Sequence, residues 1–419
     1  MKEDVIGKHE FTMRKFIPYL ICLIIIQGTL QWLNIEIGST LLWWFVDCSL
    51  LLFFLRCKEF KNYRLPHIVI VFLLWVIFSA IRGFFMAEGY WDYKRLVEEC
   101  LFYLLPLGLC LFYLPSNFSK ISKICLSVLP FIFIVLLPYI QLEAIGKILL
   151  IIPPFLIFWP KLPFLGRIYV LTFFFIVFVM GTLGARSTAT RFVVALLFSL
   201  TLFFENIVYK NIFLKFAYFM LFLTPIVAFA FAATGVYNIF EISNKKYEGQ
   251  YKVKGTYEEE NEEDLSADTR TFLYVETIQS AIDNNYVICG HSLSRGYVSP
   301  FFWYTDLTSS KRGERGDSEV AILNVFTHMG IIGVILYSLI FLIASWKAIT
   351  KGKSYFLKLI GLWVAFRWSF SWIEEFTRFD INYIYIWACI AMCYSPFYLN
   401  MSDKEFIIFL RSCMPKILR

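Results

Sequence analysis

Long runs without a charged residue recur along this chain at intervals of about 20 to 30 residues, close to the length a helix needs to cross a hydrocarbon layer. The stretch "LTFFFIVFVM", Leu171 to Met180, is one of them. In lipid only helices and closed barrels satisfy their own backbone. Barrel strands alternate polar and apolar residues, whereas these runs are apolar on every side, which excludes a barrel. The composition agrees, with 59% hydrophobic and 20% aromatic residues against roughly 45–50% apolar usage in soluble domains. The expected fold is an all-α polytopic membrane protein.

About twelve transmembrane helices are expected, near residues 16 to 34, 38 to 55, 66 to 86, 96 to 115, 121 to 139, 145 to 160, 164 to 183, 190 to 205, 211 to 236, 319 to 346, 356 to 373 and 381 to 399. The first run follows Arg14 and Lys15 as a signal peptide would, but it has no small-x-small cleavage site and is read as a retained span. Pro138, Pro153 and Pro154 interrupt the fifth and sixth, which leaves room for a re-entrant pair without changing parity.

With both termini cytoplasmic, Arg56, Lys58, Lys61, Arg64, Lys120, Lys123, Lys161, Arg167, Lys210, Lys347 and Lys351 all fall inside, as does the basic C-terminal tail. The division expected is an N-terminal bundle (1–236), an extracytoplasmic loop (237–318) and a C-terminal bundle with its tail (319–419). The net charge of +7 follows this topology, since the basic residues are scattered among short loops, and no nucleic-acid partner is expected. The ten cysteines fall mainly in apolar or inside segments, with only Cys289 in the long loop, so disulfides and structural zinc are not expected.

The long loop opens with a charged tract, "KKYEGQYKVKGTYEEENEED", too poor in apolar residues to pack. A short helix is expected next, capped by Ser266 or Asp268, with Phe272, Val275, Ile278 and Ile282 as its apolar stripe against the bundle. An aromatic turn region and the lip "KRGERGDSE" complete it.

Chemistry-bearing residues collect on the outside face. Arg186, Arg191, Arg270 and Arg295 offer permanent cations with planar donor forks, suited to phosphate or diphosphate. Arg186 and Arg191 stand near a helix start, which also favours anions. Their plain alternative is to reach lipid headgroups or to pair with loop acids. His291, between glycine and serine in "GHSLSRG", reads as a water-facing turn residue.

His328, Asn324 and Asp317 fall on nearly one helical stripe and make a candidate polar cleft. Glu319 points toward Phe326, Gly330 and Gly333, where the glycines read as helix packing. Asp317 has an N-cap role as its alternative. Asp47 and Arg367, inside apolar runs, should face the bundle, as an ion pair or into a cavity.

These landmarks resemble the bacterial O-antigen polymerase and O-antigen ligase superfamily over about Gly181 to Tyr337. The matching features are "TATRFVVALLFSL" at the start of a span, a long external loop, "DTRTFLYVETIQSAIDNNYVICGHS", and a polar doublet before G-x-x-G in "DSEVAILNVFTHMGIIG". The resemblance implies a GT-C-like architecture and transfer of a growing glycan from undecaprenyl diphosphate to a sugar hydroxyl of another lipid-linked repeat unit, at the outer face of the bacterial cytoplasmic membrane.

It implies that Arg191, Arg186 and Arg270 hold the diphosphate, with Arg295 and His328 as further substrate-binding candidates. No cofactor or metal is implied, because arginines can stabilise the leaving group. Ligases carry a His-Asn-like doublet where this chain has Asp317-Ser318, so a polymerase fits better than a ligase. The general base is sought among Asp317, Glu319 and His291, in that order. Tyr297, Phe301, Trp303 and Tyr304 could stack on sugars or form a headgroup belt.

Expected partners are the undecaprenyl-diphosphate-linked glycan, membrane lipid, a flippase and a chain-length regulator. A transporter or flippase is the competing class, but such proteins usually carry related halves and midplane charges. A different lipid-phosphosugar transferase would need paired acids in the first external loop, here only "NIEIGS".

Overall fold

The computed structural model describes residues 16–28, 30, 39–139, 148–180, 186–204, 207–233, 252–254, 262–264, 271–299, 313–373 and 378–419. Counting helices of ten or more residues, these are α1 (Phe16–Gly28), α2 (Thr40–Arg56), α3 (His67–Met86), α4 (Tyr90–Tyr103), α5 (Pro115–Leu136), α6 (Phe164–Met180), α7 (Arg186–Leu200), α8 (Ile207–Ala233), α9 (Thr271–Asp283), α10 (Ala321–Lys351), α11 (Tyr355–Phe370), α12 (Ile381–Tyr394) and α13 (Asp403–Cys413). Two short hairpins are the only strands among the described residues. The all-α class expected from the sequence is what forms. Among the described residues, four helices are long and apolar enough to cross a membrane: α3, α5, α10 and most of α8. α1, α6, α7 and α12 are shorter apolar helices.

The centre of the bundle is α12, every residue of which is buried, with α11 against it and α10 beside both. Both are apolar on nearly all faces, the pattern of helices enclosed by other helices. The outer helices behave oppositely. α3 buries Val69, Phe72, Leu73 and Val76 while Leu74, Ile77, Ile81 and Phe85 stay exposed, an apolar outer face suited to lipid tails.

Among the described residues, the proline-interrupted region after α5 holds no long helix. From Ile148 to Lys161 it is a series of short turns, and Ile148 to Phe158 is buried throughout. The intramembrane charges find separate partners. Asp47 accepts a hydrogen bond from Gln27 (3.2 Å), and Arg367 donates to Asn382 (2.8 Å) with its guanidinium over Trp363. The expected pairing of Asp47 with Arg367 does not form.

α10 is broken. Gly330 adopts φ 66°, ψ −168°, a conformation essentially reserved for glycine, and divides the helix into a short leg ending at Met329 and a leg of roughly 20 residues from Ile331. The second leg alone, at 1.5 Å per residue, spans about 30 Å. The short leg, with Asn324 and His328, therefore stands beyond it as a lip.

Candidate functional site

The break in α10 is made by the loop that follows α9. Residues 286–291 wedge against it, so that Ile331 N–H donates to Val287 O (2.9 Å) and His291 N–H donates to Thr327 O (2.6 Å). From α3, Arg82 donates to the carbonyls of Cys289 (2.8 Å) and Gly290 (3.0 Å), and Trp75 Nε1 donates to Met329 O (3.0 Å). Backbone groups freed by the kink are thus satisfied from the loop and from α3. The contact needs glycine twice: a Cβ on Gly290 would collide with the backbone of Met329, and one on Gly330 with that of Ile288. The expected packing role of Gly330 holds, but its partner is the loop backbone rather than a neighbouring helix.

A hairpin builds the other wall. Tyr297–Val298 pairs antiparallel with Glu314–Arg315, and Ser299 N–H donates to Gly313 O (3.1 Å). Arg295 forks onto buried Glu314, with Nε 3.0 Å from Oε2 and a second bond from Nη2 to Oε1, and it reaches Glu88 at 3.5 Å. This guanidinium is occupied in fastening the hairpin, and it ties the short α3–α4 loop to the long loop.

His291, expected to face water, is buried. Its Nδ1 lies 2.7 Å from Gly296 O, and its ring stacks on Tyr286 at 4.5 Å. A carbonyl can only accept, so Nδ1 carries the proton. Burial pushes the Tyr286 hydroxyl up to about 12, so it stays protonated and donates to Ser280 Oγ. His291 is a packing element of the wedge, buried away from the lip surface.

At the lip, Asp317 is half-exposed, with its side chain 49% accessible. It does not cap α10, since the cap position is Val320 and carries no side-chain bond. Asn324 instead clasps Ser318, accepting from its N–H (2.7 Å) and donating to its carbonyl (2.9 Å), which holds the chain after Asp317 in place. Gly316 leaves the space that the Arg95 guanidinium fills, where a Cβ would collide with it. Glu319 is half-buried.

Beneath Asp317 lies fully buried His328, its Nε2 4.0 Å from Asp317 Oδ1. On its other side Nδ1 is 3.4 Å from Oε2 of buried Glu99 and 3.1 Å from the Tyr103 hydroxyl. Among the described residues, neither His328 Nε2 nor Glu99 Oε2 has a hydrogen-bond partner. Of the stripe expected from the sequence, Asp317 and His328 do come together, but Asp317 precedes α10 rather than lying on it, and Asn324 bonds Ser318 instead. Glu99, Tyr103 and Arg95 from α4 stand beside them, residues that spacing along the chain does not single out. A signal was present, since Glu99 is an acid at the start of an apolar run.

Arg191 is buried at the start of α7, its guanidinium 4.9 Å from the Phe370 ring, so it does not reach out to headgroups. The residue after Phe370, Ser371, accepts from Ile322 N–H (3.1 Å) and links this cation's surroundings to the base of the lip. Arg186 begins α7, but its side chain lies outside the described residues. Arg270, Ser266, Asp268, Phe301, Trp303 and Tyr304 also lie outside them. Tyr297 is buried under the hairpin, which rules it out as an exposed sugar platform.

The loop helix forms as α9, but with a different face inward. Leu273, Thr277, Ser280 and Ala281 are buried, whereas Val275 and Ile282 are exposed. The small polar residues turn inward because Ser280 Oγ accepts from both Tyr286 OH (2.7 Å) and Val298 N–H (2.9 Å). All ten cysteines are free.

No known protein family, curated protein or solved structure matches this chain.

Proposed function

We propose that this chain is a membrane glycosyltransferase that polymerises oligosaccharide repeat units carried on undecaprenyl diphosphate into a surface polysaccharide, without a metal, at the outer face of a bacterial cytoplasmic membrane. The proposed topology has about twelve spans with both termini in the cytoplasm. Contacts between segment ends agree with its parity. Glu88 meets Arg295, and Arg82, near the outer end of its span, meets Cys289. Tyr113, near the inner end of its span, meets Arg64 and Ser395, and Lys353 meets Leu399 at the inner end of the last span.

The observation that carries the reading is the lip. A half-exposed carboxylate, Asp317, stands over a buried imidazole and beside the Arg95 guanidinium, at the outer end of a polytopic bundle. Transfer from a lipid diphosphate needs a group that takes the acceptor proton and cations that stabilise the leaving charge. Asp317 supplies the first. Arg95, Arg191 and the arginines at 186 and 270 supply the second.

Deleting the gene tests this in cells. The surface polysaccharide should fall to single repeat units, and complementation with Asp317→Ala or Arg191→Ala should fail at normal protein level. Persistence of long chains would sink the reading. Repeat units trapped on the inner face would instead identify a flippase.

A further inference from the structure

Two carboxylates approach one imidazole from opposite sides. Glu99 lies 3.4 Å from His328 Nδ1 and Asp317 lies 4.0 Å from Nε2. The three groups offer a donor set that a cation can use, with one atom from each within 4.8 Å of the others. The ring disfavours that use, because its two nitrogens point to opposite edges and a single ion can bind only one of them. An imidazole bracketed in this way is instead suited to receiving a proton on one nitrogen while the other faces a carboxylate and the Tyr103 hydroxyl.

Burial separates the parts of the cluster. Glu99 and His328 are shut away from solvent, with side-chain exposures of 5% and 0%, while Asp317 opens to it at 49%. Buried polar atoms are normally hydrogen-bonded, so the free His328 Nε2 facing Asp317 calls for a role.

We propose that Glu99, His328 and Asp317 form a proton relay, in which Asp317 takes the acceptor-hydroxyl proton, His328 stores it and Glu99 balances the charge. The relay rests on the glycan-transfer reading. The acceptor oxygen forms its bond to the sugar C1, and the C1–oxygen bond to the diphosphate breaks, its electron pair leaving with the diphosphate. The acceptor proton passes to the Asp317 carboxylate. A rotation of this exposed side chain then delivers the proton to His328 Nε2. The imidazolium is stabilised by Glu99 at Nδ1, and the proton returns through Asp317 to water.

Asp317 is the catalytic residue, and His328 and Glu99 are positioning residues behind it. The charged and titratable groups around the ring are Glu99, Tyr103 and Arg95 from α4, Asp317 from the lip, and His291 from the wedge. Arg95 stands one turn before Glu99 on α4.

The chain has four histidines, so the full protein in nanodiscs can be read by nitrogen NMR with labelled histidine. The relay requires neutral His328 protonated on Nδ1, and a resting proton on Nε2 would overturn it. Polymerisation of purified lipid-linked repeat units gives the second readout. Glu99→Gln and Asp317→Asn should each lower kcat by about 10²-fold or more with KM little changed. Glu99→Asp should recover part of the rate. The His291 resonance, set by its bond to Gly296, reports folding of each variant.

Full kcat in a folded Glu99→Gln protein would overturn the relay while leaving polymerisation intact. Loss of activity in chelator, restored by Mn²⁺ or Zn²⁺ with displaced His328 resonances, would overturn it in favour of a metal site. If the wild type elongates nothing but shows the Nδ1 tautomer, the transfer reading fails and the Glu99–His328 coupling stands.

Discussion

The two ends of the bundle are built by different rules. At the end bearing Tyr113 and Ser395, helices finish in ordinary ways. Ser354, Ser395 and Ser402 each cap a helix, Ser402 through a full capping box with Glu405, and Ser395 also donates to Tyr113 O (2.8 Å). At the end bearing Asp317, every left-handed residue among those described is gathered: Asn285, Gly290, Ser292, Gly313 and Gly330. Here the longest helix is broken, a loop is driven into the break, and a histidine and a glutamate lie buried with bare polar atoms. One end is finished for stability, whereas the other spends stability on geometry, as functional sites do.

The largest break in this contrast should come from Gly330→Ala. The new methyl adds strain in a glycine-only conformation and collides with the backbone of Ile288, a combined cost of about 2–6 kcal/mol. Gly89→Ala, which meets nothing within 4 Å, is its control. Thermal unfolding in detergent should separate the two. Equal melting temperatures would mean that the wedge does not hold the helix.

Next is the hairpin clamp. Arg295→Ala leaves Glu314 buried without its fork, and Glu314→Ala strands the arginine, so each should cost about 3–5 kcal/mol. Replacing both by Met and Leu should recover most of that loss. A double variant no more stable than the single ones would show that the pair is not an isolated clamp. At the other end, Ser395→Ala should cost only about 1–2 kcal/mol, through one cap and one hydrogen bond.

The same contrast governs what the sequence could disclose. Regular features were legible because they are local: the apolar runs, the shared face of Asn324 and His328 on one helix, and the helix after the charged tract all follow from spacing along one segment. The break at Gly330 was not, since neither that glycine nor its neighbours forbid a straight helix. Its φ is imposed by residues 286–291, and only the assembled fold brings them there. Glu99 escaped for a similar reason, because its α4 neighbour Tyr103 stands 225 residues from the histidine it touches. His291 looked exposed because glycine and serine surround it, but those residues also allow the tight turns that bury it.

The smallest effect tests the face of α9, where the reading from apolar spacing and the structure disagree. If Val275 and Ile278 made the packing stripe, truncating Val275 would open a cavity. In the fold Val275 is 61% exposed, while Leu273 is 1% exposed. Val275→Ser should therefore change stability by less than about 0.5 kcal/mol, whereas Leu273→Ala should cost about 2–5 kcal/mol. Thermal melts of the two variants beside wild type decide the matter. The polar pair on the buried face gives the reason: with Ser280 accepting from Tyr286 and Val298, rotating the helix to bury Val275 would strip two donors of their acceptor. Those lost bonds cost more than one valine gains, so hydrogen bonding rather than hydrophobicity sets the orientation.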